Sequence, residues 1–260
     1  MELNTDLSQT SILNYGEGPP RGTLGELASN PKVLEFIERV QNDCTPSKRN
    51  LLLLPESHEK PLTQSKLYLK VREFLQEASL APKYHIVFVS NVLGVCPEEF
   101  AEEEAPSFKL VGRWFPDEGI ISRTARLVAR YLKRTREAYR QRIAYVRGSY
   151  IKSVRLARGL AGVKVAEVLG EEDLDQLKHR GIRWMKVGLR MEEAFSIFKQ
   201  RILEPVDMQA GLSGPQTSEI HTHCIKDYGF KSSNRKAGRN PCGIKSSALK
   251  FQACPLAATR

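Results

Sequence analysis

Two short apolar runs bracketing a helical stretch limit what this chain can fold into. Leu51–Leu54 is a run of four leucines stopped by Pro55, too short for a helix and suited to a buried strand. Tyr84–Val89 (YHIVFV) is continuous, β-branched and aromatic, as a central strand covered on both faces is. Between them, Ser65–Ala78 places Leu67, Leu69, Val71, Phe74 and Leu75 at broadly helical spacing. Strand, helix and strand in that order predict a βαβ unit with a parallel pair. Ligand sites in parallel sheets gather at the carboxyl ends of the strands. Here those ends are Pro55–Lys60 and Ser90–Pro97.

The rest of the chain extends this frame. Asn30-Pro31 opens a short helix, Val33–Gln41, with Val33, Phe36, Ile37 and Val40 on one face. Leu110–Phe115 reads as a strand, Ser122 as the cap of a long helix to about Tyr139, and Arg142–Val146 as a strand broken by Gly148. Met191–Leu203 reads as a helix ended by Pro205. Glu98–Glu104 holds five glutamates and reads as a solvated loop or helix start. The expected fold is therefore α/β: one three-layer-like domain over residues 30–205 with a mostly parallel sheet. A mobile arm (1–29) precedes it and a disordered basic tail (206–260) follows.

The chain's 260 residues, 41% of them apolar, suffice for a real core and exclude a wholly disordered chain. No uncharged apolar stretch reaches the ~18–20 residues of a membrane span, and Met1–Tyr15 lacks a signal-peptide pattern. The expectation is a soluble cytoplasmic protein without membrane contact. Five scattered cysteines (Cys44, Cys96, Cys224, Cys242, Cys254) and no CxxC pair argue against a disulfide scaffold or zinc ribbon. His221, His223, Cys224, Cys242 and Cys254 lack the ligand spacing of a known zinc module. There is no HExxH, no P-loop and no carboxylate set placed for Mg²⁺, so neither a metal nor a cofactor is expected.

Charge points to a partner. The chain carries a net +10, and between Ile121 and Leu160 twelve basic residues face one acid, Glu137. On a helical wheel Arg123, Arg126, Arg130, Lys133, Arg134 and Arg140 share one side, opposite Leu127, Val128, Tyr131, Leu132, Ala138 and Tyr139. Guanidinium forks suit phosphate oxygens, so this stripe reads as a nucleic-acid contact.

The segment Leu51–Leu75 (LLLLPESHEKPLTQSKLYLKVREFL) resembles the core domain of archaeosine synthase, a DUF5591-like domain that archaeal tRNA-guanine transglycosylase relatives also carry in diverged form. The synthase signature is Pro-Cys, three residues, Lys-Pro-Tyr, two residues, Ser, two residues, His. Pro55, Lys60, Pro61 and Ser65 match it without a gap. Glu56, Leu62 and Tyr68 stand where the Cys, Tyr and His belong. Tyr84–Phe100 resembles the family's strand and Ser-rich turn, bringing Ser90, Asn91 and Gly94 into the motif, and RIAYVRGSY after the basic helix resembles its last strand.

The resemblance implies tRNA modification, in which an amine adds to the nitrile of 7-cyano-7-deazaguanine in tRNA. It implies catalytic roles for Lys60 and Ser65, with Cys96 as a substitute for the missing thiol. It also implies tRNA as partner, and a partner protein carrying the transglycosylase-like or PUA module. Two other readings stay open: a non-catalytic RNA-binding or assembly module, and a plain strand-to-helix turn with Ser65 as N-cap.

Overall fold

The computed structural model describes residues 18–111, 116–179, 181 and 188–203. A five-stranded sheet organises them. Its strands are β2 (Asn50–Pro55), β3 (Tyr84–Ser90), β4 (Gly94–Pro97), β6 (Gln141–Ala144) and β7 (Ala166–Glu167), in the order β4-β3-β2-β6-β7. All neighbours are parallel except β4, which folds back antiparallel on β3. The predicted parallel pair is present, with Leu51–Leu54 opposite His85–Phe88. All four leucines are fully buried, each stabilising the fold by roughly 1.5–3 kcal/mol.

Helices cover both faces, which explains why β2 and β3 read as continuous apolar runs. On one face lies α3 (Lys66–Glu77), started by Ser65, whose Oγ accepts from Tyr68 N at 3.3 Å. Its Tyr68 meets Phe88 of β3. Beside α3 lies α7 (Glu192–Leu203), whose Phe195 and Phe198 meet Phe74 edge-on. On the other face lie α2 (Pro31–Asp43), α4 (Glu118–Arg134) and α5 (Ser149–Ala161). His85, three residues from Phe88, points to that face and meets Tyr139, which contacts Tyr131 of α4. A further helix, α6 (Glu171–Lys178), follows β7. The fold is α/β and mostly parallel, as expected.

Several expectations need correction. Within the span read as an arm, β1 (Arg21–Gly22) pairs with β5 (Lys109–Leu110), and α1 (Leu24–Ala28) buries Leu27. The overlooked signal is a capping box, Thr23-x-x-Glu26, in which each side chain satisfies the other's backbone N–H. Residues 1–17 and the tail 206–260 lie outside the described residues. The long helix begins at Glu118 with Asp117 as its N-cap, whose carboxylate accepts from Ile120 N at 2.8 Å, so Ser122 is interior. It ends at Arg134, with Thr135 as its cap. The strand placed at Leu110–Phe115 is only Lys109–Leu110 among the described residues. Helix α5 went unread because its alternation of Arg with Leu and Ala was counted only as charge.

The acidic stretch after β4 opens as a 3₁₀ turn, Glu98–Phe100, one of the two expected forms, and its glutamates are paired although Glu99, Glu102 and Glu104 stay exposed. Glu98 binds Lys48 and Arg72, and accepts from Tyr68 OH. Glu99 meets His85, Glu102 accepts from Thr63, Glu103 pairs with Arg39, and Glu104 pairs with Lys32. The stretch is a clasp following the edge strand β4, fastened to α2, α3 and β3.

Candidate functional site

The connection from β2 to β3 runs over one face. The return through α4 crosses to β6, on the other side of β2. The segments leaving β2 and β6 therefore depart toward opposite faces, and the crevice between such strand ends is where open α/β sheets hold ligands. Glu56 follows β2 directly, its backbone N–H donating to Val89 O at 2.9 Å. Its side chain is wholly buried. Ser90 Oγ donates to Oε2 at 2.9 Å, Asn91 N to Oε1 at 2.7 Å, and Tyr150 OH to Oε1 at 3.3 Å. The donors come from the end of β3 and the start of α5, so the carboxylate ties three elements together.

Lys60 lies 3.7 Å from Glu56 Oε2 with its side chain only 13% exposed, and its ammonium sits 4.0 Å from the centre of the Phe108 ring. Lys60 Nζ and both amide atoms of Asn91 are buried with no hydrogen-bond partner among the described residues. Burial pulls the Lys60 pKa below the ordinary lysine value, and Glu56 only partly offsets it. Buried polar groups are normally satisfied, so this cluster has spare hydrogen-bonding capacity.

The structure places each of the motif residues. Glu56 accepts hydrogen bonds from Ser90, Asn91 and Tyr150, the geometry of an anchor. Cys96 lies on β4 opposite Phe88, fully buried. Burial holds its thiol well above the usual pKa although Lys60 is near, so at neutral pH it has no thiolate to offer. Ser65 is the N-cap of α3, the plain structural reading of that residue. Pro55 ends β2, and Pro61 caps the short 3₁₀ turn Leu62–Gln64. Gly94 is a packing device: a Cβ there would lie 2.3 Å from Leu127 Cβ, and its φ of +76° favours glycine. Tyr150 ends the RIAYVRGSY stretch, but nothing in that stretch links it to Glu56, and Phe108 lies outside all three family-like stretches.

The basic stripe divides. Arg123 is half-buried and donates to Val92 O (2.7 Å) and Ala28 O (3.1 Å). Arg134 donates to Val40 O, Asn42 O and Cys44 O, closing the carboxyl end of α2. These two hold the fold and leave the expected binding set. Arg140 lies beyond the helix, exposed, its N–H on Arg49 O. Arg126, Arg130 and Lys133 remain on the outer face of α4 and, with Ala129 and Leu160 of α5, line a shallow groove. Arg130 reaches Glu38 at 3.3 Å. Arg126 and Lys133 have no carboxylate partner among the described residues. Counting acids within 121–160 missed Glu38, Glu118, Glu167 and Glu171, which folding brings to the basic residues.

No group of His, Cys, Asp or Glu fit to hold a metal ion occurs among the described residues, and no described helix is long and apolar enough to cross a membrane. His221, His223, Cys224, Cys242 and Cys254 lie outside those residues. No curated protein matches this chain. A crystal structure titled "Crystal structure of AF0587, a protein of unknown function" is similar, with 22% sequence identity and a TM-score of 0.40. The likeness covers 56% of this chain and 48% of that one, about half its length. Residues 33–180 match the family described as Domain of unknown function (DUF5591), more than half of the chain, and the chain belongs to that family.

Proposed function

We propose that this protein binds tRNA as a diverged relative of the archaeosine synthase core, without thiol chemistry. The observation that carries the reading is the outer face of α4, where Arg126, whose guanidinium touches only Ser122, and Lys133 are exposed without a carboxylate partner among the described residues, on either side of Arg130. Exposed cations one helical turn apart suit a line of phosphates. Three phosphate contacts imply a binding constant that falls about 20- to 40-fold between 50 and 200 mM salt. Filter retention of bulk tRNA at those two salts is the test, with Arg126→Glu/Lys133→Glu beside the unaltered chain. Salt-dependent retention lost in the variant is the expected result. No retention at low salt refutes the reading.

A second reading, a diverged amidine-forming transferase, is favoured by one feature. The Lys60 amine, 3.7 Å from Glu56, and the side-chain amide of Asn91, whose backbone N–H also meets Glu56, are buried with no hydrogen-bond partner among the described residues. In that reading Lys60 protonates the nitrogen that develops as an amine adds to the nitrile. A modification assay on tRNA carrying 7-cyano-7-deazaguanine, with Lys60→Ala alongside, decides it. Product formation that stops in the variant while tRNA retention survives supports catalysis, and no product from the unaltered chain refutes it.

A further inference from the structure

The groove on the outer face of α4 reaches Leu160 of α5, and the two helices present unlike faces beside it. Along α4, Arg126, Arg130 and Lys133 span about 10 Å of helix, and Arg126 and Lys133 are uncompensated. The face of α5 is electrically quiet. Each of its cations has a carboxylate of this chain: Lys152 has Glu118 at 3.5 Å, Arg155 has Glu167 and Glu171 at 2.7 and 3.1 Å, and Arg158 has Glu167 at 3.2 Å. Its solvent-facing stripe continues from Lys152 through Leu156, Gly159 and Leu160. Leu156 and Leu160 are 51% and 53% exposed, one turn apart. No heavy atom lies within 4 Å of where a Gly159 Cβ would be, so the chain's own packing does not require that glycine.

Resting on the proposed RNA reading, we infer that this groove takes an unpaired stretch of RNA, with phosphates along α4 and base faces over Leu156 and Leu160. The reason is symmetry. A single strand has one charged edge and one edge of flat, largely apolar bases, matching one cationic and one leucine face. A duplex carries phosphate along both edges of each groove and turns its base faces inward, where the leucines cannot reach them. Duplex binding would leave two half-exposed leucines against phosphate or water. Base contact removes them from water, as apolar and aromatic platforms do in single-strand binders. The missing side chain at Gly159 leaves the surface between the leucines low enough for a base to lie flat. An acidic protein segment would also suit the charge, but the long cationic face beside a neutral apolar one fits a strand with its charge on one edge.

The test compares a 12-nucleotide unstructured RNA with a duplex of the same length, by fluorescence anisotropy on the full chain. It uses the unaltered protein, Leu156→Ser/Leu160→Ser and Arg126→Glu/Lys133→Glu. The leucines are exposed, so the serine variant keeps the fold, checked by its circular dichroism. The expected result is about tenfold tighter binding of the single strand. Most of that preference disappears in the serine variant, while duplex binding is unchanged, and the charge-reversed variant loses both RNAs. Equal affinity for the two RNAs, or an unchanged preference in the serine variant, overturns the unpaired-strand inference while leaving RNA binding standing. Retention of neither RNA at 50 mM salt overturns both, and capture of an acidic peptide instead would assign the groove to a protein.

Discussion

Removing the Glu56 carboxylate tests the reasoning about the buried cluster most directly. Glu56→Ala takes the acceptor from Ser90, Asn91 and Tyr150 and the counter-charge from Lys60. Breaking a buried pair by deleting one partner costs about 3–5 kcal/mol, because the remaining charge stays buried. Each orphaned donor adds roughly 1–3 kcal/mol, partly relieved by relaxation. The expected loss at pH 7 is thus at least about 3 kcal/mol, a large share of a domain's stability.

Its pH dependence has a definite sign. Burial already depresses the Lys60 pKa in the folded state, and Glu56 is the largest influence opposing that depression. In the variant the folded pKa therefore falls further below the unfolded value, and the unfolded chain binds more protons between the two. Stability relative to the unaltered protein rises as pH climbs from neutral toward the ordinary lysine value of 10.5. Urea unfolding followed by circular dichroism at pH 7 and pH 9.5 measures this. The double variant Glu56→Ala/Lys60→Met is expected to recover part of the loss, since no buried charge is left unpaired. A single variant whose deficit does not change with pH, together with a double variant no more stable than the single one, would refute the account of Lys60 as a desolvated cation held by Glu56.

Three further outcomes follow from the geometry. Gly94→Ala is expected to cost about 2–4 kcal/mol by urea midpoint, from both the Leu127 clash and the positive φ. Gly148→Ala, at φ +62° and ψ −132° with open space around it, is expected to cost about 1–3 kcal/mol from backbone strain alone. Burial, the largest single influence, raises the Glu99 carboxyl, but the hydrogen bond and charge of His85, a backbone N–H and Cys44 together hold it below 4.5. The stability it contributes is therefore present above that value and lost as pH falls through the folded pKa, and Glu99→Gln is expected to flatten the acid limb of an unfolding-versus-pH curve. Cys44, its thiol pushed up to about 11 by burial, and Cys96 are expected to resist alkylation at pH 7.5 until urea unfolds the chain, as read by peptide mass spectrometry.

Elements whose signal is local are legible in the order of the residues. Leu51–Leu54 and Tyr84–Val89 had to be strands because an unbroken apolar run that short can be buried only on both faces. Ser65 and Asn30 announced helix starts because a capping side chain acts on a backbone N–H two or three residues away. The βαβ order alone brings the ends of β2 and β3 side by side. Tertiary structure decided the rest, because Coulomb and hydrogen-bonding forces act across distances in space that sequence order does not reveal. Arg123 and Arg134 looked like Arg126 on the wheel and became fasteners only when carbonyls of α1, α2 and the β3–β4 turn arrived beside them. Five glutamates that read as a solvated loop found partners up to 72 residues away. Glu56, read as the loss of a nucleophile, acquired its part as an anchor from Tyr150, 94 residues further along the chain.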